Sequence, residues 1–179
     1  MGKGNREVTP AVSYVGIYDE GEQEHAQTNL GILVGYGINA ELDIRGRVEL
    51  PVLADEFDTF GDVIAMPIGP KIKLSDANAS FYSPIGLAIG DEIETSESIE
   101  WHPTRIMSSR LKEESELNSS LKLIVPFEKE RDTALALKVG IAKWTTNTGL
   151  RPEIGVLKYL NDGSGIFFHA GVAISFRKD

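Results

Sequence analysis

The chain has 179 residues, a formal net charge of −9, 41% hydrophobic residues and no cysteine. That length suits one domain, residues 1–179, with room for a core. The charge argues against a nucleic-acid partner, because phosphate binding needs clustered Lys and Arg and none occurs. Without cysteine there are no disulfides, no thiol catalysis and no Cys-based zinc site.

The opening residues, MGKGNREVTP, contain no apolar stretch of the kind a signal peptide needs, so 1–7 read as a polar N-terminal tail. An exported protein would then be represented here by its mature part. No run of about eighteen apolar residues occurs, which leaves no membrane helix.

In chain order the sequence parses into about ten strands. Residues 8–18 form the first, followed by the acidic DEGEQE at 19–24, which reads as a solvated loop. Residues 29–52 state the rule that later segments repeat. Leu30, Ile32, Val34 and Tyr36 alternate with Gly31, Leu33, Gly35 and Gly37. After an Asn39-Ala40 break, Leu42, Ile44, Val48 and Leu50 alternate with Glu41, Asp43, Arg45, Arg47 and Glu49. Period-two alternation puts successive side chains on opposite faces of a strand, and a short Asn-containing break joins two strands as a hairpin.

Residues 62–74 and 81–90 continue the alternation, and 99–109 is a strand of mixed parity. Arg110 to Leu117, RLKEESEL, reads as a turn or two of polar helix. Strands at 119–128, 133–144, 150–160 and 166–176 follow. The clearest sets Leu135, Leu137, Val139 and Ile141 against Ala134, Ala136, Lys138, Gly140 and Ala142. Further long acidic breaks lie at 53–61 and 91–98, whereas Asn39-Ala40, SDANAS at 75–80 and TTNTG at 145–149 are short. An even strand count with long loops at one end and short turns at the other matches a transmembrane barrel.

The face opposite the bulky residues separates this reading from a soluble one. A water-facing strand surface normally carries Thr, Lys, Glu and Arg, since Gly and Ala are poor strand formers there. Here that face is largely Gly and Ala with scattered charges. Turned inward in a narrow barrel, the small residues leave room for charges from other strands. The expected fold is therefore an all-β, antiparallel, up-and-down transmembrane β-barrel of about ten strands, with eight or twelve as the neighbouring even counts.

Leu30, Ile32, Val34, Leu42, Ile44, Leu135, Leu137, Val139, Ile141, Val172 and Ile174 would face lipid. Asp43, Arg45, Arg47, Glu49, Lys138, Arg151, Glu153 and His169 would line the lumen. Tyr18, Tyr36, Phe81, Phe127, Trp144 and Phe176 lie near strand ends, where interfacial aromatic girdles belong. A soluble lipocalin-like barrel, its aliphatics lining a cavity for an apolar ligand, is the competing fold. Prolines at 51, 67, 70, 84, 103, 126 and 152 fall in or beside strands and oppose a continuous ladder.

The segment Tyr36-Gly37-Ile38-Asn39-Ala40-Glu41-Leu42-Asp43-Ile44 resembles a hairpin of bacterial outer-membrane β-barrels of the transporter-like, meta-pathway phenol-degradation type. The stretch from Arg151-Pro152-Glu153 through Ala173-Ile174-Ser175-Phe176 is similar to their last hairpin. The final strand of such barrels ends on an aromatic; here Phe176 is followed by Arg177, Lys178 and Asp179. The resemblance implies an outer-membrane location and, as partners, the lipid bilayer and a small-molecule solute.

No catalytic constellation emerges. His25, His102 and His169 show no HxH or HExxH spacing, so neither a metal site nor a cofactor is expected. His169 and Ser175, six residues apart, are separated by roughly 20 Å along a strand and cannot form a dyad. His169 with Glu153 is the one catalytic pairing to keep, for an outer-membrane enzyme. Otherwise the barrel is structural, its interior charges paired as a plug, or a small passive pore for small polar or hydrophobic solutes.

Overall fold

In a computed structural model that describes residues 2–19, 21–54, 63–74, 78–90, 93–161 and 165–178, every regular element is a strand. They are β1 (Arg6–Asp19), β2 (Glu22–Gly37), β3 (Leu42–Ala54), β4 (Val63–Ala65), β5 (Ile68–Lys73), β6 (Ala79–Tyr82), β7 (Ile85–Gly86), β8 (Ala88–Gly90), β9 (Glu100–Trp101), β10 (Thr104–Lys112), β11 (Ser115–Pro126), β12 (Ala134–Trp144), β13 (Thr148–Tyr159) and β14 (Ile166–Lys178).

All pairings are antiparallel, and β14 closes the ring on β1 with Arg6 opposite Lys178 and Tyr18 opposite Ile166. The pieces β4/β5, β6/β7/β8 and β9/β10 each make one wall, so the barrel has ten walls, the number expected.

Prolines divide those three walls. The breaks fall at Met66-Pro67, Ser83-Pro84 and His102-Pro103. Proline lacks an N–H but keeps its carbonyl. Those carbonyls still accept from neighbouring walls: Arg47 N–H donates to Pro67 O (2.9 Å), His102 N–H to Pro84 O (3.0 Å) and Leu123 N–H to Pro103 O (3.0 Å). At Gly69 an added Cβ would lie 2.4 Å from Pro84 Cα, so glycine is what lets the two kinked walls meet. The barrel thus stays closed although its strands are interrupted.

Three expectations about the connections are corrected. DEGEQE at 19–24 is not a long loop: β1 runs to Asp19, β2 starts at Glu22, and Gly21 adopts a φ of +94°. RLKEESEL forms no helix; Glu113 and Glu114 make a tight turn between β10 and β11. Cross-strand pairing outweighs the intrinsic helix preference of Glu, Lys and Leu in so short a segment. Within the polar tail, Arg6 and Glu7 already belong to β1. The predicted break at 53–61 lies mostly outside the described residues. At the short-turn end Asn39 Oδ1 accepts from the N–H groups of Glu41 and Leu42, both at 2.8 Å, and this fixes the β2–β3 hairpin.

The side chains are sorted in the reverse of a water-soluble barrel. Among the described residues the buried hydrophobic side chains are four alanines, Ala79, Ala134, Ala136 and Ala142. Fully or nearly buried polar residues include Glu7, Thr9, Asp43, Arg45 and Ser175, while 34 large hydrophobic residues among those described are exposed. A lipocalin-like barrel would have its aliphatics converge on the centre; this one has a polar and ionic centre.

Candidate functional site

The inner face carries charge in two tiers. Near the short turns, Glu7 on β1 has no exposed surface and is approached by three guanidinium groups. Arg177 Nε donates to Glu7 Oε2 at 3.1 Å, Arg151 Nη1 lies 3.4 Å from Oε1, and Arg45 Nη1 lies 3.6 Å from Oε1. Strands β14, β13 and β3 supply these arginines, so one carboxylate ties four walls together. Thr9 and Ser175 complete the cluster, with Thr9 Oγ1 donating to Ser175 Oγ at 2.9 Å. Arg45 also meets Asp43 at 3.4 Å. Below, the Arg177 guanidinium stacks 3.5 Å from the centroid of the Trp144 ring. Trp144 therefore faces the interior, and its expected place in an outer girdle is corrected.

The upper tier, toward the long loops, is more open. Arg47 Nη2 meets Glu49 Oε1 at 2.5 Å, Lys138 Nζ donates to Glu153 Oε1 at 2.9 Å, and His169 Nε2 stands 3.6 Å from that same oxygen. Gly31 makes room for this layer: a Cβ there would sit 3.3 Å from Arg47 Nε, so the guanidinium occupies the space a larger side chain would take. Gly155 does the same for Lys138, whose Cγ would be 2.8 Å from an added Cβ.

Asp43, Arg45, Arg47, Glu49, Lys138, Arg151, Glu153 and His169 thus all lie on the inner face. They fall into three groups: Asp43, Arg45 and Arg151 in the Glu7 cluster, the Arg47–Glu49 pair, and Lys138, Glu153 and His169. Leu30, Ile32, Val34, Ile44, Leu137, Val139, Ile141, Val172 and Ile174 are exposed on the outer face, and Leu42 and Leu135, of the same parity, are half-buried.

Sequence reasoning missed Glu7, Arg177, Lys71 and Lys122. Glu7 stands in a polar stretch without alternation, and only the β1–β14 closure brings Arg177 to it. It also missed a group at the long-loop end, where His102 Nε2 lies 2.7 Å from Glu100 Oε2 and Glu100 is bridged to Arg131. The nearby Ser98 hydroxyl is occupied with Ala88, accepting from its N–H and donating to its carbonyl at 2.9 Å each. A carboxylate–histidine pair without an available nucleophile orients a ring but completes no triad. His169 is similarly placed: its Glu153 partner is committed to Lys138.

Cavities follow the same division. A chamber of about 650 Å³ opens at the long-loop end between β1, β2, β3 and β11–β14, and a second of about 380 Å³ lies against Gly86, Glu100 and His102. Toward the middle lie spaces of about 150 and 90 Å³, beside Arg151 and Glu153. Thr9 and Arg151 of the Glu7 cluster border the smaller of the two.

No protein-family model matches the chain, and no curated protein does. Solved structures do. An outer-membrane channel from Pseudomonas putida F1 aligns with a TM-score of 0.52 at 10% identity, over 99% of this chain and 97% of that one. The translocator domain of the autotransporter NalP from Neisseria meningitidis aligns with a TM-score of 0.54 at 8% identity, over 98% and 89%. At such identities the likeness concerns fold, and the fold of this chain is that of the outer-membrane β-barrels.

Proposed function

We propose that the protein is a bacterial outer-membrane barrel, exported and bilayer-embedded, whose lumen is closed at the short-turn end and forms a blind chamber at the long-loop end. The reversed sorting of side chains supports the bilayer assignment. An all-round belt of exposed leucine, isoleucine and valine is stable against hydrocarbon and costly against water. The single observation behind the closed lumen is Glu7, held without exposed surface by Arg45, Arg151 and Arg177 across four walls. A carboxylate with three guanidinium partners fills the barrel section there and leaves ions no uncommitted path. On this reading the protein is structural or ligand-holding rather than conducting, and its partners are the bilayer and whatever enters the chamber.

A narrow passive pore is the second reading, favoured by the succession of small cavities between the chamber and the cluster. Planar-bilayer recording separates the two. The plugged barrel gives insertion without unitary steps up to high voltage; a stable unitary conductance of the unmodified protein overturns it.

A further inference from the structure

We infer that the long-loop chamber binds a small monocarboxylate with an apolar body, its carboxylate on Lys122 and its body on the Tyr159–Phe167 side; this rests on the proposal that the chamber opens to the outside of a bilayer-embedded barrel. The chamber, about 650 Å³, is divided in character. Ile17, Leu157, Tyr159 and Phe167 contribute an apolar side from three adjacent walls, β1, β13 and β14. Tyr159 and Phe167 meet edge to face, their centroids 5.9 Å apart at 79°. The flanking walls contribute the charges.

There, two of the three cations are matched from within: Arg47 by Glu49 and Lys138 by Glu153. Lys122 on β11 also lines the chamber, and among the described residues it has no acidic partner at ion-pair distance. An ammonium group held inside a barrel without an ion-pair partner is a costly arrangement that an entering anion relieves. Of the two lining carboxylates, Glu49 is taken by Arg47 and Glu24 is exposed near the start of β2, so one unpaired cation is left for one carboxylate. A neutral apolar ligand would leave Lys122 as it is, and a cationic one would be repelled by it.

The test uses the protein in lipid nanodiscs, with bilayer insertion checked first by heat-modifiable gel mobility. Calorimetric titration then compares hexanoate, hexanol and hexylammonium, with empty nanodiscs subtracted. Hexanoate is expected to bind and the other two to bind at least about tenfold more weakly, the loss that follows removal of a charge-assisted hydrogen bond. Lys122→Met should abolish that preference, Lys122→Arg should keep it, and Phe167→Ala should weaken hexanoate while keeping the preference. Equal binding of hexanoate and hexanol, no binding of hexanoate to inserted protein, or an unchanged preference in Lys122→Met overturns the inference. Failure to insert at all instead overturns the bilayer reading on which it stands.

Discussion

Replacing Glu7 by glutamine is the sharpest probe of the ionic cluster, because it keeps the shape of the side chain and removes only its charge. Glu7 is fully buried and faces three guanidinium groups at 3.1 to 3.6 Å. Removing one member of a buried ion pair typically costs about 3–5 kcal/mol, because the partner is left charged and uncompensated. The three arginines differ in how easily they can be re-solvated. Arg151 and Arg177 keep 34% and 42% of their side-chain surface, whereas Arg45 keeps 10%. The penalty should therefore come mainly from Arg45 and, because Asp43 stays 3.4 Å from it, fall at the lower bound, about 3 kcal/mol. With a urea slope of about 1–3 kcal/mol per molar, that lowers the unfolding midpoint by about 1–3 M. Urea titration in phosphatidylcholine vesicles, read by gel mobility, measures it. Glu49→Gln is the internal comparison: its pair with Arg47 keeps about a quarter of each side chain exposed, and its loss should cost less than about 1 kcal/mol. A Glu7→Gln change no larger than that of Glu49→Gln would refute the account of Glu7 as the tie between walls.

Two further substitutions probe the inner and outer faces. Gly31→Val fills the space now taken by the Arg47 guanidinium, 3.3 Å from the site of an added Cβ, and should destabilise by about 1–3 kcal/mol in the same vesicle assay; an unchanged midpoint would mean that Arg47 moves freely. Arg105 is exposed on the outer face, paired with Phe81 on one side and Leu121 on the other, near the middle of the β9/β10 wall. A lipid-facing arginine costs about 2–4 kcal/mol at the bilayer midplane and less near its surfaces, so Arg105→Leu should raise stability in vesicles by up to that amount. Destabilisation by Arg105→Leu would mean that this part of the wall meets a protein partner rather than lipid.

The fold was legible because period-two alternation survives whatever medium lies outside. Residues 30–36, 42–50 and 135–141 read as strands from parity alone, and the ten-wall barrel follows from counting such runs between breaks. Connections were harder. The acidic 19–24 stretch reads as a loop because charge normally marks one, yet Asp19, Glu22, Gln23 and Glu24 pair at the outer ends of β1 and β2. Strand ends that project past a bilayer meet water on their outer face, so charges there do not interrupt pairing. The prolines look incompatible with a closed barrel when only their missing N–H donors are weighed. The carbonyls of Pro67, Pro84 and Pro103 hold the neighbouring walls instead.

The interior was less legible for a reason of register. Alternation says which face a residue is on but not at what height, and height decides who meets whom. Glu7 and Arg177 lie at opposite ends of the chain and become neighbours only when β1 and β14 pair with Glu7 opposite Arg177. On the proposed reading, height also explains how one barrel can be sealed below and open above. The lower tier gathers four charged side chains from four walls onto one point. In the upper tier Arg47 and Glu49 pair along one strand and Lys138 and Glu153 across neighbouring strands, against the barrel wall. Pairs that lie flat on the wall leave the axis empty, whereas a carboxylate shared by distant walls closes it. On the proposed reading, the same composition of charges makes a plug at one depth and a chamber at the next.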